Sequence, residues 1–128
     1  MVYPSLCLLP VPLVVFSVLH RVVLGPYKTI QVARRASEAV RRVVPPSRTP
    51  VTPQSLGWFY RHLRYRTCPG IACLEKSCAL ELWLAFHGQK SRVCLGRRPD
   101  GGACLMHAWV ESGTVSFFED ARFIEIPL

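Results

Sequence analysis

Between residues 28 and 44, apolar and small side chains return at Ile30, Ala33, Ser37, Val40 and Val44, in alternating steps of three and four. That spacing keeps to one face of a 3.6-residue helix. Arg34, Arg35, Glu38, Arg41 and Arg42 largely take the other side. Upstream, residues 13–24 are apolar except for Ser17, His20 and Arg21. A bilayer span needs about 20 apolar residues, so this run predicts a buried or surface-lying helix. Gly25-Pro26 interrupts the pattern, so residues 11–44 read as one or two helices. Residues 45–53 carry four prolines and read as a stiff linker. Thr52-Pro53 then has the form of an N-cap with proline at the first helical position. Leu56, Phe59 and Leu63 suit a short helix to about residue 66, followed by a turn over 67–70.

Beyond residue 72 the pattern predicts one more helix and then strands. Residues 73–87 are helical, with Leu74, Ser77/Cys78, Leu82 and Ala85 on the apolar side and Gly88 as C-cap. Residues 92–97 and 105–111 are strands around a hairpin-type loop at 98–103, which contains Pro-Asp-Gly-Gly. Ser112-Gly113 is a tight turn, and 114–118 and 123–126 are two further short strands. One helix on a three- or four-stranded antiparallel sheet is an α+β layer. The expected organisation is therefore N-terminal helices with a proline-rich linker (1–53) and an α+β core (54–128). A chain of 128 residues suits one domain, or a small domain with a helical extension.

Charge and cysteine usage narrow the classes. The net charge is +8, of which residues 1–53 contribute +6 and residues 54–128 only +2. The bland reading of the basic helix is a solvated face; the sharper one is a docking face for a partner. The signal for nucleic-acid binding is weak, and no nucleic-acid partner is expected. There is neither a Gly-rich phosphate loop nor a Ser elbow. Six cysteines stand at 7, 68, 73, 78, 94 and 104. The first residues carry no positive charge, and Pro4, Pro10 and Pro12 break the apolar run, so a signal peptide is not indicated. The expected compartment is the reducing cytoplasm with mostly free thiols. The apolar N-terminal helix remains a candidate for contact with a membrane surface.

The chemistry concentrates in residues 73–120. Cys73 opens a helix, His107 follows 34 residues later on a strand, and Asp120 lies 13 residues beyond that. This is the order of a thiol nucleophile, its base and an orienting carboxylate, which points to acyl transfer. A helix N-terminus and a neighbouring imidazolium both favour the thiolate. Glu119 is the alternative to Asp120 for the orienting role. Cys78 is a helix-core residue on this reading, Cys94 a buried strand residue and Cys68 a competing thiol. Trp109 reads as core or pocket wall, and Glu111 as a solvated strand end. Cys104 and His107 form Cys-x-x-His, which would need Cys68 or Cys94 to hold zinc. The spacings are irregular and there is no Cys-x-x-Cys knuckle, so no metal and no cofactor is expected.

The Cys-Leu-Glu-Lys-Ser-Cys-Ala-Leu helix, the Phe-His-Gly-Gln at its end, the Val-Cys-Leu-Gly strand and the Met-His-Ala-Trp-Val-Glu strand resemble one family. It is that of the lasso-peptide leader peptidases, which are transglutaminase-like, papain-related cysteine peptidases. The resemblance covers about residues 13–128, with its specific motifs in 73–111. It implies a transglutaminase/papain-like core and a Cys73–His107–Asp120 triad. It also implies removal of the leader from a ribosomally made precursor before a cyclase closes a macrolactam. The implied partners are the precursor leader, a separate leader-recognition protein and the macrolactam-forming cyclase. The helices and linker of residues 1–53 are not expected to include a fused recognition module. The rival readings are another acyl transfer on the same fold, and a non-enzymatic adaptor docking through the basic helices.

Overall fold

In a computed structural model, the residues described are 10–46, 51–55, 73–100, 103–118 and 123–127. The expected helix from residue 56 to 66, the turn at 67–70, Cys7, Cys68, Glu119 and Asp120 lie outside them. The chain enters through helix α1 (Pro10–Val18), a π-helical segment (Leu19–Leu24) and helix α2 (Gly25–Val43). Helix α3 (Cys73–Phe86) follows, then strands β1 (Arg92–Asp100), β2 (Ala103–Ser112), β3 (Val115–Phe117) and β4 (Ile124–Ile126). The strands form one antiparallel sheet in the order β3-β2-β1-β4. The class is α+β, as the sequence pattern predicts. Among the described residues, no helix is long and apolar enough to cross a membrane.

Local chemistry sets the boundaries. Gly25 takes a φ of 75°, a region that an L side chain resists, and this is where the π-helical segment gives way to α2. Thr29 Oγ1 donates to the Gly25 carbonyl at 2.6 Å, satisfying it from within the first turn. At Thr52, the hydroxyl accepts from the Ser55 N–H at 3.2 Å while Ser55 Oγ accepts from the Thr52 N–H at 2.9 Å. Thr52-Pro53 predicts the N-cap, and the structure adds the reciprocal bond to Ser55. Helix α3 ends in a Schellman motif. The Gln89 N–H reaches the Leu84 carbonyl, the Gly88 N–H reaches that of Ala85, and Gly88 supplies the left-handed φ of 71°. The β1–β2 ladder runs to Asp100↔Ala103, so most of the expected loop at 98–103 is paired strand.

Helix α3 departs from the amphipathic reading. Leu74 through Glu81 are all buried, as are Trp83, Leu84 and Ala85. The reason is its place: α1 and α2 pack on one side of it and the sheet on the other. Phe16, Ile30 and Ala33 therefore share one core with Leu80, Leu84, Val93, Val110 and Phe117. Val51, from the proline-rich segment, also enters that core.

Burying α3 on all sides from Leu74 to Glu81 also buries its charges, and each carboxylate meets a partner from another element. Glu81 accepts the Val93 N–H of β1 at 2.9 Å and Ser37 Oγ of α2 at 3.3 Å. Burial pushes its carboxyl above the usual carboxylate range, opposed by the Val93 bond, Arg34, Ser37 and Arg41. Two of the four arginines read as a solvated face are thus turned toward a buried acid. Arg35 and Arg42 are the two left exposed.

Candidate active site

Cys73 stands at the first position of α3, half-buried. Its Sγ accepts the backbone N–H of Ala108 at 3.2 Å, and the thiol is hydrogen-bonded to the His107 imidazole. The sheet explains why that N–H is open. The β2–β3 ladder stops at Val110↔Phe117, and continuing its register would set residue 119 opposite Ala108. β3 has left the sheet by then, and the thiol takes up a donor that a further ladder bond would have used.

The departure is made at Phe118, whose φ of 65° lies in the left-handed region. For a bulky side chain this conformation costs about 1–3 kcal/mol and persists only where surrounding contacts enforce it. Here it accompanies a specific contact: the Phe118 carbonyl accepts from His107 Nε2 at 2.5 Å. A carbonyl oxygen cannot donate, so in neutral His107 the proton sits on Nε2 and Nδ1 carries the lone pair. The ring is held between Phe123, 5.1 Å away centroid to centroid, and Trp109, at 6.1 Å. Trp109 in turn needs Gly96, because a Cβ there would lie 2.6 Å from its Cζ3.

Opposing influences act on the thiol. Burial pushes its pKa up; the His107 hydrogen bond, the Ala108 N–H and the imidazole charge pull it down, and Glu75 pushes it up again. The net result is a thiol held below its ordinary value. The other described thiols go the opposite way. Burial raises Cys78 far above the normal range, and Cys94 is pushed up to about 12, also chiefly by burial. Cys73 is thus the thiol of the three poised to ionise.

A family model for the transglutaminase-like superfamily matches residues 13–123. The chain belongs to that superfamily. Transglutaminase-like folds generally support cysteine-based catalysis, as peptidases or acyltransferases. The match includes α1 and α2, consistent with the core they share with α3. No significant match was found to a curated protein or to a solved structure.

Of the residues singled out in the sequence, the structure brings Cys73 and His107 together, while Asp120 and its alternative Glu119 lie outside the described residues. Cys78 is fully buried in the core. Glu111 is more than a solvated strand end: it accepts from Trp109 Nε1 at 3.2 Å and from Arg92 at 2.8 Å. Among the described residues, Cys94, Glu111 and Glu125 bring ligand-type atoms within 4.8 Å of one another. Arg92 already bridges the two carboxylates, at 2.8 and 2.6 Å. That set shares Cys94 with the zinc alternative, of which Cys68 and the Cys104 side chain lie outside the described residues.

Sequence reasoning missed Glu75 and His20. Glu75 is 0% exposed, two residues beyond the thiol, and its Oε1 lies 3.1 Å from His20 Nδ1 of the π-helical segment. The available signal was a histidine within an apolar run and a carboxylate beside a helix-opening cysteine; only packing brings them together. π-Helical turns are rare and concentrate near functional sites.

Proposed function

We propose that this chain is a cysteine peptidase that removes the leader from a ribosomally synthesised lasso-peptide precursor, with Cys73, His107 and Asp120 as its triad. The observation that carries the nucleophile is the lowered thiol at a helix start, hydrogen-bonded to His107 and to the Ala108 N–H. The motif resemblance of residues 73–111 supports the leader-peptidase assignment within the superfamily.

In the first step, His107 accepts the thiol proton and the Cys73 sulfur attacks the scissile carbonyl. N–H groups of the first turn of α3 are suited to stabilise the oxyanion. Collapse of the tetrahedral species breaks the C–N bond, and imidazolium returns the proton to the leaving amine. Water, deprotonated by His107, then attacks the thioester and restores the thiol. In the structure the Phe118 carbonyl accepts from His107 Nε2; Asp120, in the segment just past Phe118, would orient the imidazole by accepting that proton in the carbonyl's place. The precursor leader is the substrate, a separate leader-recognition protein presents it and raises its effective concentration, and the cyclase consumes the freed core peptide.

The test is mass spectrometry of a lasso precursor incubated with the chain, with and without the recognition protein. A shortened peptide that requires Cys73, and forms faster with the recognition protein, supports the reading. An amine adduct of unchanged backbone length would favour acyl transfer. No change to the precursor with either partner present would refute both enzymatic readings and leave the adaptor.

A further inference from the structure

Helix α2 carries a second apolar stripe, distinct from the one that faces α3. Val32, Ala36, Ala39 and Val43 recur in steps of four, three and four, the spacing of alternating d and a positions in a heptad repeat. These side chains are not covered: Val32 is 38% and Val43 84% exposed, Ala39 is exposed and Ala36 half-buried. Lys28, Arg35 and Arg42, all exposed, border the stripe one heptad apart, at the g positions of the same frame. The stripe opens into a groove. α1 and α2 each pack on α3 but hardly touch one another. The space between them, about 720 Å³, has Val15 and Leu19 on one wall, Val32 and Ala36 on the other, and Trp83 and Phe86 along α3. Phe86 is 59% exposed there.

We propose that this groove is the docking site for an amphipathic helix of a partner protein, with an a/d apolar seam flanked by acidic side chains. The heptad frame selects a helix, because knobs at successive a and d positions need a partner of the same period. The cation row selects its charge, because g positions pair with e or g positions across the seam. A second copy of α2 does not fit. Its e positions in this frame are Ala33 and Val40, its g positions are cations, and Glu38 is its single acid. An antiparallel copy would set cation against cation, and a parallel copy would set the cations against apolar Ala33 and Val40. The proposal concerns a surface remote from the chemistry at Cys73 and does not depend on it.

The experiment uses the full chain and two labelled synthetic peptides of about three heptads, with leucine at a and d. One carries glutamate at e and g, the other lysine. Binding is followed by fluorescence anisotropy and mapped with a photo-crosslinker at a central d position. The glutamate peptide should bind, crosslink to the Val32–Phe86 groove, and prefer the native chain over the lysine peptide. Arg35→Glu and Arg42→Glu should each weaken it about two- to five-fold, the range of exposed ion pairs. The double reversal should favour the lysine peptide, and Ala39→Asp should abolish binding of both. Unchanged circular dichroism and Cys73 alkylation rate would show that the variants remain folded. Equal binding of the two peptides, or crosslinks elsewhere, would overturn the proposal. So would absent peptide binding alongside capture by anionic phosphatidylglycerol vesicles, or alongside a dimer that Ala39→Asp disrupts.

Discussion

Treating the folded chain with iodoacetamide and mapping each cysteine by mass spectrometry tests the electrostatics of the site directly. With Cys94 pushed up to about 12, its thiolate fraction at pH 7 is about 10⁻⁵. A cysteine at the ordinary value of 9.0 is about 1% thiolate at pH 7, and Cys73 lies below that value. The ionised fractions alone therefore favour Cys73 by at least roughly 1,000-fold. A more basic thiolate is intrinsically the better nucleophile, and a Brønsted slope of about 0.4–0.5 returns roughly 20-fold to Cys94. Ionisation wins, leaving Cys73 faster by at least roughly 50-fold, and more once the burial of Cys94 is included. The sign for pH follows: the rate at Cys73 should rise with pH through an inflection below that of a free thiol. In His107→Ala the burial that raises the pKa persists while the imidazole contribution is gone, so the inflection should move upward and the rate at pH 7 should fall. If Cys73 reacts less than tenfold faster than Cys94, or its inflection does not move in His107→Ala, the assignment of the thiol–imidazole pair is wrong.

Further expectations concern the groups around the site. Glu75→Gln removes a buried negative charge that opposes the thiolate, so the Cys73 inflection should move to lower pH in the same alkylation profile. Glu81→Ala leaves the buried Val93 N–H without its acceptor and should lower stability by about 1–3 kcal/mol in urea denaturation, with a circular dichroism midpoint as readout. Gly96→Ala would push a Cβ into Trp109, with an overpacking cost of about 1–3 kcal/mol and a displaced His107, so stability and alkylation rate should fall together.

Much of the architecture follows from local chemistry, which is why it is legible in the chain. Gly25 and Gly88 take left-handed conformations that mark helix boundaries, and the caps at Thr52 and Gln89 are short-range hydrogen bonds. Strand periodicity on either side of Pro-Asp-Gly-Gly signals the β1–β2 hairpin, although the ladder runs further into the expected loop at 98–103 than the sequence indicates. Cys73 and His107 could be singled out because a thiol at a helix start and a later imidazole are residue types with few other uses in that order. What remained invisible depends on elements distant in sequence. The burial of α3 on all sides from Leu74 to Glu81 arises because α1 and α2 cover much of the face that the sheet leaves open, and no periodicity within α3 reports it. For the same reason Glu75 and Glu81, which read locally as helix-surface acids, become buried groups held by His20, Ser37 and Val93. The Ala108 N–H is a thiol ligand only because β3 leaves the ladder at Phe118, and a strand's departure is settled by what the rest of the sheet and helices can pack against. Local propensity operates over a few residues; the placement of a thiol against a strand edge 35 residues away is decided by the shared core.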